Sequence, residues 1–436
     1  MTQISFIGYI GISELVCFVV APVVFWRNFD FFWRCKMLPY LGLAVLWMLF
    51  ALNADILIYR NPMETVLKGV ASPYCVFSVS VCALVLLRDR FQRLNWFVVG
   101  SALSYVLSTV VFQRGSVVGS ENLMDEGGGS AMNAVMSYKL YWLMLVWIFL
   151  LIPVQIRFRT IPLWVSLALT FGAAFFALFG GGRSTFLVTL VSAGILIMGA
   201  SVRSRAYRPR PRSFVPLAVF MVVMGLASKG LYTYTVKQGW LGDDEMQKYE
   251  KQATEIGTSA LSLLMSGRSE CWIALSAIKD KPFFGHGYKP PDFDGYAERW
   301  VEKYGDALDV RRMREQRMRG IKSIPAHSHI LGAWLYHGAG GLLFWVYVLY
   351  LIYKMMTVWV WYVPDWFGWM ATSVPMWLWA IFFSPFGERV PVVIMCSMIL
   401  LARCVHRRLI SPVGIGQRPM VPNGLEMARR GVRRML

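Results

Sequence analysis

Residues 329–353 read HILGAWLYHGAGGLLFWVYVLYLIY, twenty-five consecutive positions without an aspartate, glutamate, lysine or arginine. At about 1.5 Å of rise per residue, a helix of that length crosses the roughly 30 Å hydrocarbon core of a bilayer. Apolar and polar residues do not alternate in it, so it is no barrel strand. Unpaired backbone groups are too costly in hydrocarbon for any other spanning form. The same reading extends in both directions. Apolar runs at 4–26, 37–58, 66–87, 94–112, 140–156, 161–180, 185–201 and 213–232 precede this one, and 366–384 and 389–405 follow it. The expectation is an all-α polytopic integral membrane protein with about eleven (10–12) transmembrane helices. Met355 to Trp369, aromatic and interrupted by Pro364 and Asp365, reads as an interfacial segment or as part of a twelfth span.

Composition points the same way. The 436 residues are 56% hydrophobic and only 16% charged, outside the range of ordinary soluble domains. The net charge of +19 comes largely from the linkers at 27–36, 88–93, 157–160 and 203–212 and from a tail holding Arg429, Arg430, Arg433 and Arg434. By the positive-inside bias these face the cytoplasm. Contact with anionic membrane lipid accounts for the charge, and no nucleic-acid partner is expected. The start of the first run lacks a basic region and a cleavage site, so it reads as a span, not a signal peptide.

The chain accordingly divides into transmembrane helices one to eight over 1–232, an external loop with short helices over 233–326, further transmembrane helices over 327–405, and a basic cytoplasmic tail over 406–436. The loop is nearly balanced in charge. Of seven cysteines only Cys271 falls within it, so no disulfide closes inside it. It is long for a connector, and long loops on rigid scaffolds carry function. Charged helical stretches are expected at 242–256 and 296–319, with turns at Pro282, Gly285, Gly287, Pro290, Pro291 and Pro325.

Polar groups able to do chemistry converge on the external side. Gly181, Gly182, Arg183 and Ser184 stand where one span closes and the next opens. Uncovered backbone N–H groups, a positive helix end and a planar guanidinium together suit a phosphate. The same residues also read as a tight turn whose arginine snorkels to the interface. Arg268 and Trp272, four apart, share a helix face; the alternative is a surface arginine paired with Glu270 or a lipid phosphate. His327 stands at the outward end of the 329–353 helix, where the dipole and nearby arginines leave the imidazole neutral. A neutral ring meets the requirement for a general base. His329 and His337 lie about 200° and about 280° round the helix from His327, so the three histidines share no face and no metal site is expected. Arg311, Arg312, Arg314, Arg317 and Arg319 form either a solvated helix face or a dock for phosphorylated lipid.

His327 and Ser328, then nine residues, Gly338, two residues and Gly341, form a spacing that resembles the signature of the O-antigen ligase and polymerase superfamily. Arg268, Trp272, Pro282, Gly285 and Gly287 resemble its polymerase pattern, and Arg183 resembles the arginine opening another family helix. The resemblance implies a GT-C-like membrane glycosyltransferase without metal or cofactor that inverts the anomeric centre. Its donor would be undecaprenyl-pyrophosphate-linked O-antigen and its acceptor lipid A-core, at the periplasmic face of the bacterial inner membrane. On that reading Arg183 and Arg268 hold the departing pyrophosphate and His327 is the base. Gly181, Gly182, Ser184, Trp272, Ser328, His329, Arg311, Arg312 and Arg314 would contact substrate. Tyr336 stands where many relatives carry an acidic residue, and no role passes to it. A polymerase and a protein O-oligosaccharyltransferase share the donor and stay open. A transporter is disfavoured because Asp55, Lys68 and Lys229 fall towards span ends. The sequence is silent on oligomeric state.

Overall fold

The computed structural model describes residues 3–5, 9–87, 269–304, 323–362 and 367–383, with scattered positions between 164 and 246. The described residues are helical apart from a ribbon in which β1 (Gln3–Ser5) pairs antiparallel with β2 (Tyr9–Gly11). Helices α1 (Ile12–Arg27), α2 (Phe29–Arg34) and α3 (Leu38–Leu52) follow. A π-helical turn, Asn53–Ile58, leads to α4 (Met63–Leu87). Further along come α5 (Ser269–Asp280), α6 (Tyr296–Tyr304), α7 (His329–Tyr362) and α8 (Phe367–Phe383).

Among the described residues, three helices are long and apolar enough to cross a membrane: Leu38–Ile58, Met63–Leu86 and His329–Lys354. They coincide with the expected runs 37–58, 66–87 and 329–353. The run from residue 4 departs from expectation, because helix begins only at Ile12. Isoleucine, phenylalanine and tyrosine spaced by glycine suit a short ribbon as well as a span, and apolar content alone does not separate the two. The runs at 94–112, 140–156 and 389–405 and the tail at 406–436 lie outside the described residues. Those at 161–180, 185–201 and 213–232 are described at scattered positions only. Most of Met355 to Trp369 continues α7 as far as Tyr362.

Helix α3 packs against α4 and α7, and α1 against α4. Lipid tails are as apolar as leucine, so packing and specific contacts decide which helices pair. Aromatic rings do much of this. Trp47 and Tyr40 of α3 meet Phe344 of α7 at ring distances of 5.0 and 5.2 Å. Phe18 of α1 meets Tyr74 of α4 at 4.9 Å, and the Tyr74 hydroxyl donates to the Phe18 carbonyl at 2.6 Å.

A second, smaller core lies in the loop. Ile273, Ala274, Ala277 and Ile278 of α5 bury against Tyr296 of α6, Ile324, Ala326 and the N-terminal part of α7 at Leu335 and Tyr336. Helix α5 lies outside the two expected charged stretches; it contains Trp272, where a helix face was expected, and extends to Asp280. Helix α6 covers only the first part of the expected 296–319 stretch, and 305–322 lies outside the described residues. Both carboxylate oxygens of Asp292 start α6, accepting the N–H groups of Tyr296 (2.8 Å) and Ala297 (2.9 Å).

Candidate functional site

In the first turn of α5, Glu270 reaches the residue that the sequence marks as a base. Its Oε2 lies 2.8 Å from His327 Nδ1, with both side chains about one-third exposed, at 35% and 34%. The same turn is tied to the same residue by the Cys271 thiol, which donates to the His327 carbonyl at 3.6 Å. A carboxylate only accepts, so Nδ1 carries the hydrogen and Nε2 of a neutral ring keeps its lone pair. If Nε2 takes a proton, the carboxylate stabilises the positive charge that forms. The expected surroundings of His327 were a helix dipole and arginines alone; the carboxylate changes that electrostatic setting.

The motif glycines build a joint. Helix α7 breaks at Gly338, whose φ of 64° and ψ of −149° belong to a region almost reserved for glycine. The break frees the carbonyls of Leu335 and Tyr336 and the N–H of Ala339. The 281–288 segment takes them up: His286 N–H donates to Leu335 O (2.7 Å), Gly287 N–H to Tyr336 O (3.0 Å), and Ala339 N–H to Phe283 O (2.7 Å). Backbones approach so closely that a Cβ on Gly338 would lie 2.0 Å from Phe283 O, and one on Gly285 2.6 Å from Gly338 N. Beyond the break, a Cβ on Gly341 would meet Ala333 O at 2.4 Å. The spacing of Gly285, Gly287, Gly338 and Gly341 thus describes a helix whose hydrogen-bond ladder is completed by the loop.

The N-terminal spans grip the other side of that loop. Asp55, wholly buried in the π-helical turn, accepts the Tyr288 N–H and the Asn61 amide through Oδ1, each at 2.8 Å. The Tyr59 hydroxyl donates to Gly285 O at 2.8 Å, and the Lys281 ammonium lies 4.8 Å from the Tyr59 ring centre. His286 is buried, with Nε2 2.8 Å from Ala277 O, so this nitrogen carries the hydrogen. Burial holds its pKa below the usual histidine value, and the nearby Lys281 charge adds to the effect. The hydroxyl of Tyr296, hydrogen-bonded to Asp280 Oδ2 at 2.5 Å, is pushed up by burial and by that carboxylate.

Ser328, which follows His327 in the signature, and His329, expected like it to contact substrate, face inward. The Ser328 hydroxyl accepts the Leu331 N–H (3.2 Å), capping α7, and donates to Ile381 O of α8 (2.9 Å). His329 is buried against Trp345 at 5.6 Å. Both therefore act within the protein fold in this structure. His337, inside the span, receives the Trp47 indole N–H on Nδ1 at 2.8 Å and so joins α7 to α3. Trp272 is on α5, 37% exposed and two residues on from Glu270. Arg183, Arg268, Gly181, Gly182, Ser184, Arg311, Arg312 and Arg314 lie outside the described residues.

Glu270 and Asp55 are the residues that sequence reading missed. Glu270 entered it only as a partner for an arginine, because nothing local joins it to His327. Asp55 had a signal, an ionisable residue within an apolar run, but its apparent nearness to a span end discounted it.

Residues 165–346 match a family model described as O-antigen ligase. That stretch is similar to the O-antigen ligase family. It is less than half of the 436-residue chain, and it contains α5, α6, the N-terminal part of α7, and the positions of Arg183, Arg268 and His327. The family segment supports the O-antigen ligase and polymerase superfamily and does not separate ligase from polymerase. No curated protein and no solved structure matches the chain.

Proposed function

We propose that the protein is an O-antigen ligase that transfers a glycan from undecaprenyl pyrophosphate to a sugar hydroxyl of lipid A-core at the periplasmic face of the inner membrane. The observation that carries this reading is the hydrogen-bonded pair of Glu270 and His327 inside the family segment. His327 Nε2 takes the proton from the attacking hydroxyl as its oxygen bonds to the anomeric carbon. The bond from that carbon to the pyrophosphate oxygen breaks, and the configuration inverts. Glu270 holds the ring in the accepting tautomer and balances the imidazolium.

Negative charge grows on the departing pyrophosphate. Arg183 and Arg268 are assigned to it, with the Gly181, Gly182 and Ser184 turn supplying backbone N–H groups. Arg311, Arg312 and Arg314 are assigned to a lipid phosphate. The scheme uses no metal ion. The charge pattern of the linkers supports a cytoplasmic C-terminal tail, with His327 on the opposite face.

The test uses purified full-length protein with lipid-linked glycan and lipid A-core. His327→Ala abolishes transfer while the protein stays inserted. A variant with near-native turnover removes the base. Lipopolysaccharide from a deletion strain separates the close relatives: bare core with accumulated lipid-linked polymer means ligase, and core capped with single repeats means polymerase.

A further inference from the structure

Helices that cross a bilayer measure depth, and α3 and α7 do so together. They run antiparallel: Tyr40 lies 5.2 Å from Phe344, and a Cβ on Gly340 would meet the Phe50 ring at 2.7 Å. Lys36, just before α3, and Lys354 of α7 mark one edge of the hydrocarbon. At about 1.5 Å per residue, Phe50 and Ala339 each stand roughly 20 Å from that edge. In a core of about 30 Å, both are roughly 10 Å inside the opposite edge.

The segment between α5 and α6 reaches that level. Phe283 O accepts the Ala339 N–H, and the rings of Phe283 and Phe284 lie 5.8 and 6.1 Å from that of Phe50. Irregular backbone persists at such depth only where protein takes up its polar groups. Pro282 O accepts the Trp334 indole N–H at 2.7 Å and Gly285 O the Tyr59 hydroxyl at 2.8 Å, adding to the bonds that Phe283, His286 and Gly287 make to α7.

The two side chains, by contrast, face out. Phe283 is 59% and Phe284 41% exposed. The surface they extend is apolar: Leu343, Val346 and Tyr350 continue the face of α7 that starts at Ala339, and Val45 and Leu49 are exposed on α3. In helices that span a bilayer such stripes face lipid, so the phenylalanines prolong a lipid-facing surface. Charge agrees with this level. The Lys281 ammonium lies over the Tyr59 ring, which the same count of residues from Lys36 puts at the outer edge, where a lysine finds headgroups.

We propose that Phe283 and Phe284 are inserted among the acyl chains of the outer leaflet, with Lys281 at its headgroups, so that this part of the loop docks on the membrane as well as on α7. The insertion is independent of whether His327 is the base.

The test uses the full chain in nanodiscs of phosphatidylethanolamine and phosphatidylglycerol, with photoreactive p-benzoylphenylalanine in place of Phe284. Irradiation should add the mass of one phospholipid, and phospholipase C should then remove the headgroup and leave diacylglycerol on the protein. A cross-link to a second copy of the chain, or no lipid adduct, overturns the proposal. The unmodified chain supplies a second reading that needs no substitution. A lipid-soluble aryl diazirine, photolysed in the same nanodiscs, should label Phe283 and Phe284, and hydroxyl radicals generated in the water should spare them. Oxidation of both rings without diazirine labelling would place them in water and end the idea.

Discussion

Glu270 Oε2 and His327 Nδ1 are 2.8 Å apart, so the first turn of α5 fixes the ring that stands two residues ahead of α7. Glu270→Gln keeps an accepting oxygen for Nδ1 but removes the charge that balances an imidazolium. Turnover should fall by about 100-fold with acceptor KM little changed, and Glu270→Ala should fall further. Initial-rate kinetics with purified protein check this. Unaltered turnover in Glu270→Ala would show that the carboxylate plays no part.

The joint at Gly338 makes a sharper claim about stability. A methyl group there would lie 2.0 Å from Phe283 O on a backbone that disfavours any side chain. Gly338→Ala should cost about 3 kcal/mol or more and release the 281–288 segment. The control is Gly42→Ala in α3, where an added methyl meets nothing within 4 Å and should be tolerated. Thermal unfolding in detergent compares the two; equal midpoints would contradict the joint.

Asp55 predicts a difference between two small substitutions. Asp55→Asn retains an oxygen for the Tyr288 N–H and the Asn61 amide, whereas Asp55→Ala strands both. The alanine variant should be less stable by about 1–3 kcal/mol and more readily cut by protease within 281–290. The asparagine variant should stay close to native. Indistinguishable digestion patterns for the two would argue against the grip.

Acid should loosen the same loop. The folded-state pKa of His286 lies below its ordinary value near 6.5, chiefly through burial. Docking is therefore at full strength above about pH 6.5. It weakens as pH falls from there towards the folded-state value, because the undocked ring takes the proton first. Melting midpoints between about pH 7.5 and about pH 5.5 should decline in the native protein. The decline should be shallower in His286→Gln, and the same slope in both would assign the effect elsewhere.

The membrane character was legible because hydropathy is a local property, and 37–58, 66–87 and 329–353 return as helices at nearly those bounds. His327 was legible for a related reason, since its spacing to Gly338 and Gly341 lies on one stretch of chain. What escaped was long-range. Glu270 meets His327, and Asp55 meets Tyr288, only after distant segments fold together, and no periodicity encodes such pairs. Ser328 shows the opposite problem. A hydroxyl beside a base reads as a substrate contact, yet its oxygen is engaged in starting α7 and fastening it to α8. Only the start of helix α5, at Trp272, was legible, because the rest of its apolar face becomes a core only against Tyr296 and Ile324.

Because α7 borrows hydrogen bonds from residues 283–287 to bridge its own interruption, neither piece is a module. Exchanging the aqueous segment for that of a relative, as one would to alter glycan preference, would leave three main-chain groups of a membrane helix stranded unless the graft preserved the Phe283-to-Gly287 backbone path. The interruption at Gly338 and the backbone path that bridges it thus form one indivisible unit.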